Sequence, residues 1–196
     1  MKSFITNIVL TIILSVVFVA PSSAHKKKHR EGPLTTFGDL AQIINPVISG
    51  TMASQEKGFG HFGLIYGQTT LLSFGIKEIG KHIERGAFAR PRVGYSCVRY
   101  DGMPSAHTAS AWSAASYTRA FSENQWAAIP LYISAALTGY SRVYSRQHTT
   151  LQVVAGAALA EAVTFVNQQL SWSSNYQSTL FSFDGDELSA GFVFKF

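Results

Sequence analysis

Between Ser105 and Phe121 the chain is dominated by alanine and serine, with few large side chains between them. Small side chains let helix axes approach closely, so this stretch reads as a helix packed among other helices. The flanking apolar stretches have helical length and spacing: Phe37 to about Ser54, Gly58 to about Ile83, about Trp126 to Val143, and about Thr149 to Leu170. The first is expected to break near Asn45-Pro46 and to stop by Gly50. Glu84 to Gly102 carries Gly86, Pro91, Gly94, Asp101 and Gly102 and reads as a loop. No repeat of fixed period is visible. With 196 residues, 46% of them apolar, the chain suits one domain. The expected fold is all-α, a helical bundle, with a short C-terminal β-hairpin.

The ends differ from this middle. Residues 1–24 have Lys2, an apolar run from Ile8 to Ala20, and small residues at Ser22 and Ala24, which predicts a signal peptide cleaved after Ala24. The other reading is an uncleaved anchor, although the run is short against the roughly 20 residues a span needs. Residues 25–36 read as a basic flexible tail, and 37–170 as the domain proper. In the tail 171–196, Asp184-Gly185-Asp186-Glu187 is flanked by Phe183 and by alternating Leu188, Ala190, Phe192, Phe194 and Phe196, the pattern of a hairpin.

The formal charge of +5 is not a nucleic-acid signal: the run His25–Glu31 supplies +3 and Lys2 another +1, leaving about +1 for the rest. A basic run beside a new N-terminus is either a solvated tail or an attraction to an anionic membrane surface. Cys97 is the single cysteine, so no internal disulfide can form, and it reads as a small hydrophobe. These features predict an exported protein, periplasmic or held at the cell envelope in peripheral contact with anionic membrane.

The chemistry is concentrated in three segments: Arg90-Pro91, Pro104-Ser105-Ala106-His107, and Ser141-Arg142 with His148 six residues after the arginine. Phosphoryl transfer needs positive charge around three oxygens, an in-line nucleophile and a proton donor for the leaving oxygen. Ser105 stands where a loop becomes a helix, so its hydroxyl and nearby backbone N–H groups can face an anion. His107 lies in the first turn beside it, and either imidazole titrates near neutrality. Taken singly, each segment fits a helix cap or a dipole partner as well as a site; their order and separation are what carry weight.

Those segments resemble the type 2 phosphatidic acid phosphatase (PAP2) superfamily over about Asp39 to Leu170. The family pattern is a lysine, six residues, Arg-Pro; then Pro-Ser-Gly-His; then Ser-Arg, five residues, His, three residues, Asp. The resemblance implies that His148 is a nucleophile forming a phosphohistidine, and that His107 protonates the leaving oxygen and then activates water. It implies that Arg90, Arg142 and Ser105 hold the phosphate, with Ala106 in the glycine position, and that no metal or other cofactor is needed. Counting back seven from Arg90 lands on Ile83, so the lysine is Lys77 or Lys81, with Lys77 favoured. Gln152 stands where the family has its aspartate; its carbonyl can orient His148 but brings no negative charge. Glu161 and Asp101 are acidic residues that could supply it.

The leading expectation is a metal-independent phosphatase acting on a phosphomonoester or on a lipid phosphate or diphosphate. The alternative is a phosphate-binding or structural protein of the same fold, its turnover weakened with the aspartate. A vanadate-dependent peroxidase ranks last, the chain being short for that branch. The partner is a phosphorylated small molecule or lipid, not a nucleic acid.

Overall fold

The computed structural model describes residues 32–83, 86–91, 99–173, 182–184 and 187–189. The expected signal peptide, the basic run and Cys97 lie outside the described residues. Within them the chain forms α1 (Pro33–Glu56), α2 (Phe59–Ile83), α3 (Ala106–Phe121), a 3-10 turn (Gln125–Ala127), α4 (Ala128–Tyr144), α5 (Thr150–Ser173), β1 (Ser182–Asp184) and β2 (Glu187–Ser189). The strands pair antiparallel with Asp184 opposite Glu187, the register expected of the Asp-Gly-Asp-Glu turn.

Helix α1 corrects the sequence reading twice. It starts at Pro33, inside the stretch expected to be flexible, because proline at the first helical position has its φ preset and no N–H to lose. It also runs unbroken through Pro46 and past Gly50. Proline at 46 deprives the Gln42 carbonyl of its helical donor, and the Ser110 hydroxyl of α3 donates to that carbonyl instead, at 2.7 Å. Beside it, the Asn45 amide donates to the Leu131 carbonyl at 3.2 Å and accepts from the Ser134 hydroxyl at 3.0 Å. Contacts from α3 and α4 thus replace what the proline removes. The helix ends where the N–H groups of Lys57 and Gly58 both reach the Ala53 carbonyl, with Gly58 at φ +86°, a conformation that favours glycine.

Helix α3 is the axis of the bundle and touches α1, α2, α4 and α5. Ala111, Ser113, Ala114, Ala115 and Ser116 are wholly buried along it. Its hydroxyls bond across to neighbours: Thr118 to Ser49 at 2.9 Å, Ser116 to Thr164 at 2.8 Å, and Ser110 to the Tyr66 hydroxyl at 2.9 Å. At one end of the bundle these give way to an apolar cluster of Phe62, Ile65, Tyr66, Tyr117 and Val163. At the other end the starts of α1, α3 and α5 meet the ends of α2 and α4, and the chemistry-bearing residues gather there.

The outer surface is apolar. Leu40, Ile44 and Ile48 form an exposed stripe on α1, and Ile129, Ile133 and Leu137 form another on α4; Leu151, Val154, Phe165, Val166 and Leu170 project from α5. Between Ala128 and Ser141 there is no charged residue. Exposed Trp126 marks one end of α4 and exposed Tyr140 and Tyr144 the other, ~27 Å away at 1.5 Å per residue. Among the described residues, one helix, Thr150–Leu170, is long and apolar enough by composition to cross a membrane.

Gly156 of α5 lies against the start of α3, where an added Cβ would stand 2.6 Å from the Ser105 carbonyl oxygen. Backbone cannot yield as a side-chain tip does, so Gly156→Ala is expected to lower unfolding stability by about 1–3 kcal/mol. Gly67→Ala, with nothing near its added methyl, is expected to be neutral or stabilising. Thermal melts of the two variants in detergent check the contrast.

Candidate active site

His148 sits in the short turn between α4 and α5 and is 3% exposed. The turn is pinned by two bonds onto one carbonyl: Gln147 and His148 both donate their backbone N–H to Arg142, at 2.9 and 3.2 Å. This fold-back brings Arg142 and His148, six residues apart in sequence, to the same end of the bundle. Burial first, then the positive charges of Arg90, Lys77 and His107, hold the His148 pKa well below its ordinary 6.5. His148 is therefore neutral around pH 7.

The Gln152 side chain binds in two directions. Its Oε1 accepts from His148 Nδ1 and from the Thr149 backbone N–H, both at 3.1 Å, while its Nε2 donates to the carbonyls of Ala87 and Ala89 at 3.1 and 2.8 Å. Two carbonyls on one side and a backbone donor on the other fix which way the amide points. It follows that Nδ1 of neutral His148 carries the proton and Nε2 carries the lone pair. Gly102 leaves the room: a Cβ there would collide with the Gln152 amide. The contact with His148 was expected from the spacing; the grip on the loop before Arg90 was not, since nothing in the sequence marks Ala87 and Ala89 as partners.

The described residues on either side of that loop are tied together. Arg90 donates its N–H to the Arg99 carbonyl at 2.8 Å, and Gly102 donates to the Phe88 carbonyl at 2.9 Å. Arg90 Nε bonds Asp101 Oδ1 at 2.8 Å, and Arg99 bonds the other carboxylate oxygen. Of the two lysines weighed for this motif, Lys77 lies beside Arg90, Arg99 and Asp101, whereas Lys81 is exposed and paired with Glu78. Asp101 is thus committed to two arginines. Glu161 is committed elsewhere, accepting from Trp112 Nε1 at 2.9 Å, the Tyr132 hydroxyl at 2.6 Å and Arg119 at 3.0 Å. Neither takes the place of an aspartate at position 152.

Ser105 caps α3 and is wholly buried, with its hydroxyl accepting from Thr108 Oγ1 at 3.1 Å. Its own backbone N–H donates to the Gln152 carbonyl at 2.9 Å. That tie seats α3 on α5 and leaves the N–H groups of Ala106, His107 and Thr108 as the donors of the helix start without an intrahelical acceptor. Arg142 is similarly occupied: Nε donates to Ser141 Oγ at 3.0 Å, NH1 to Asp39 at 2.7 Å and Gln147 at 3.1 Å, and NH2 to the Thr35 carbonyl at 2.8 Å. One of its five N–H groups remains. Asp39 also lies 3.3 Å from His107 Nε2. Sequence reasoning passed over Asp39, a single carboxylate on a helix with no motif around it.

The family model described as the PAP2 superfamily matches residues 53–176, more than half of the chain. A lipid A 4'-phosphatase of Helicobacter pylori strain J99 is 31% identical over 140 residues, covering 65% of this chain and 65% of that one. The match therefore spans less than two thirds of that curated relative's length. Two solved structures share the fold: Aquifex aeolicus LpxE, with a TM-score of 0.54 at 20% identity over 84% of this chain and 95% of that chain, and a transmembrane PAP2-type phosphatidylglycerolphosphate phosphatase of Bacillus subtilis, with 0.51 at 19% over 87% and 92%.

The arginines beside Asp101 hold its pKa at about 2, against burial, which acts the other way. An unfolded aspartate titrates near 3.9, so between those values the unfolded chain binds the extra proton. The stabilisation is complete above about pH 4 and is lost as the pH falls toward 2, amounting to about 2 kcal/mol. Asp101→Asn is expected to melt below the parent at pH 7, and the gap is expected to narrow at pH 3.

Proposed function

The chain belongs to the PAP2 superfamily, and on that premise we propose that it is a membrane-embedded phosphatase that removes phosphate from a lipid through a phosphohistidine at His148. The observation that carries this reading is the His148–Gln152 bond, which leaves a neutral imidazole with its Nε2 lone pair beside the positive charges of Lys77, Arg90 and His107. In the first step Nε2 attacks phosphorus, the P–O bond to the lipid breaks, and a proton from the His107 imidazolium passes to the leaving oxygen. In the second, water attacks the phosphohistidine and gives its proton to His107, and inorganic phosphate departs. Lys77, Arg90, the remaining N–H of Arg142 and the start of α3 around Ser105 and Ala106 bear the charge on the phosphoryl oxygens. These groups do what a metal would otherwise do, so chelator is expected to leave turnover unchanged.

The lipid substrate is supported by the apolar exterior. A bundle whose outward stripes are isoleucine and leucine, flanked by Trp126 at one level and Tyr140 and Tyr144 at the other, suits a hydrocarbon layer ~30 Å thick. The site lies at the tyrosine end, beyond the apolar belt, where a headgroup phosphate would be. The names of the curated relative and of the Bacillus subtilis structure, a lipid A 4'-phosphatase and a phosphatidylglycerolphosphate phosphatase, point the same way. The setting proposed is the cell envelope.

One observation favours the second reading, a phosphate-binding protein with little turnover: the group behind His148 is an amide whose two donors are both spent on the loop. Phosphate release from phosphatidic acid in mixed micelles, with chelator present, separates the two. Release that falls to the buffer background in His148→Ala supports the enzyme; no release from the parent, with vanadate still raising its melting temperature, supports the binding protein. Gln152→Asp restores the family residue but points a carboxylate at the Ala87 and Ala89 carbonyls, so it is expected to lower activity and stability together.

A further inference from the structure

His107 has a carboxylate beside it and His148 does not, the reverse of the arrangement that the PAP2 pattern implies. Asp39 Oδ1 lies 2.7 Å from Arg142 NH1 and 3.3 Å from His107 Nε2. Asp39 is beyond the first turn of α1, too far along to serve the helix dipole, and that first turn has no acidic residue. The approach that puts it there is built in. Gly38 precedes it, and a Cβ at Gly38 would collide with Ser141 Oγ and stand 2.6 Å from Arg142 NH2. The Thr35 carbonyl, one turn earlier, accepts from Arg142 NH2 at 2.8 Å, so α1 holds the guanidinium at two points.

The charged neighbours of His107 are Asp39 on α1, Arg142 on α4 and Lys77 on α2, and His107 is in turn a neighbour of His148. Burial, foremost, and the positive charges of Arg142 and Lys77 disfavour its imidazolium and hold its pKa below the ordinary 6.5. Asp39 is the charge that favours it.

We propose that Asp39 is the positioning residue of His107: it holds the Nε2–H toward α1, sets a negative charge beside a ring that is otherwise buried among cations, and leaves the other ring nitrogen to serve the leaving oxygen. This rests on the phosphatase reading for its consequence, though not for its test. In the step it supports, the lipid P–O bond breaks and the proton moves from His107 to the departing oxygen. Asp39 keeps its charge throughout, as the carboxylate behind a catalytic histidine does in the serine-protease triad.

The experiment uses the full chain in detergent micelles as parent, Asp39→Asn and Asp39→Glu, each checked by thermal melt. The ring of His107 is followed by NMR on labelled histidine, assigned with His107→Gln. Its titration midpoint is expected to fall by about one unit in Asp39→Asn, the shift that one opposite charge at this range produces. Asp39→Glu is expected to recover part of it. In turnover, Asp39→Asn is expected to lose about tenfold to hundredfold in kcat on an alkyl phosphate, part of what a general acid contributes, with KM little changed. The alkaline limb of its pH profile should move to lower pH, because a weaker base loses its proton earlier. On 4-nitrophenyl phosphate, whose leaving group needs no proton, the loss should be much smaller.

An unmoved His107 midpoint in either folded Asp39 variant overturns the proposal. So does tighter vanadate binding by Asp39→Asn with the midpoint unchanged, which would make Asp39 a stand-in for phosphate on Arg142. A parent without phosphatase activity would sink the functional reading, and the titration would still decide the role of Asp39.

Discussion

The Gln152 amide joins parts of the chain that are otherwise far apart. It accepts hydrogen bonds from His148 Nδ1 and from the Thr149 N–H just before α5, and gives both of its own hydrogens to the loop that presents Arg90. Its backbone carbonyl receives the N–H of Ser105 and so seats the start of α3. A buried polar group left without a partner costs about 1–3 kcal/mol, so each of these ties resists being undone alone. His148, the loop that presents Arg90 and the start of α3 therefore hold one relative position, the condition under which electrostatic stabilisation needs no rearrangement.

The bundle beneath this site turns the usual pattern of a soluble protein around. Alanine, serine and threonine fill its centre, and isoleucine and leucine face outward. Small buried residues permit close helix approach, and the hydroxyls among them bond across helices, which in the proposed membrane setting is how helices associate where burial of apolar surface offers little. Pro46 belongs to the same logic, since a proline inside a helix is tolerated when a neighbouring helix supplies the missing donor. Ser110 is that donor.

This explains which features could be read along the chain. The histidines, arginines and Ser105 stand in contiguous segments, and a motif keeps its spacing whatever surrounds it. The helices were visible because their apolar runs are long. Pro46 was misread as a break because the compensating hydroxyl lies 64 positions away, at residue 110. The tie from the Ser105 N–H to the Gln152 carbonyl was not foreseen, because its acceptor is a backbone group that no side-chain pattern announces. Neither Lys77 nor Lys81 has the family spacing to Arg90, and Lys81 comes nearer to it; burial beside Arg90 singles out Lys77 instead. Asp39 was illegible for the simplest reason: its meaning depends on a helix crossing set by the missing side chain of Gly38.

The distribution of charge gives the glutamine a physical sense beyond that of a lost aspartate. Lys77, Arg90, Arg99 and Arg142 gather with the two histidines, and the carboxylates placed among them are Asp39 and Asp101. Four cations against two anions leave an excess that matches a phosphate monoester dianion. An aspartate at 152 would spend half of that excess inside the protein. Under the proposed mechanism the neutral amide leaves it for the substrate, and Asp39, beside His107, stands where a proton is kept rather than where a lone pair is offered. On this balance the departure from the family pattern favours holding the phosphate and protonating the leaving oxygen, and it weakens the support for charge that builds on His148 as the N–P bond forms.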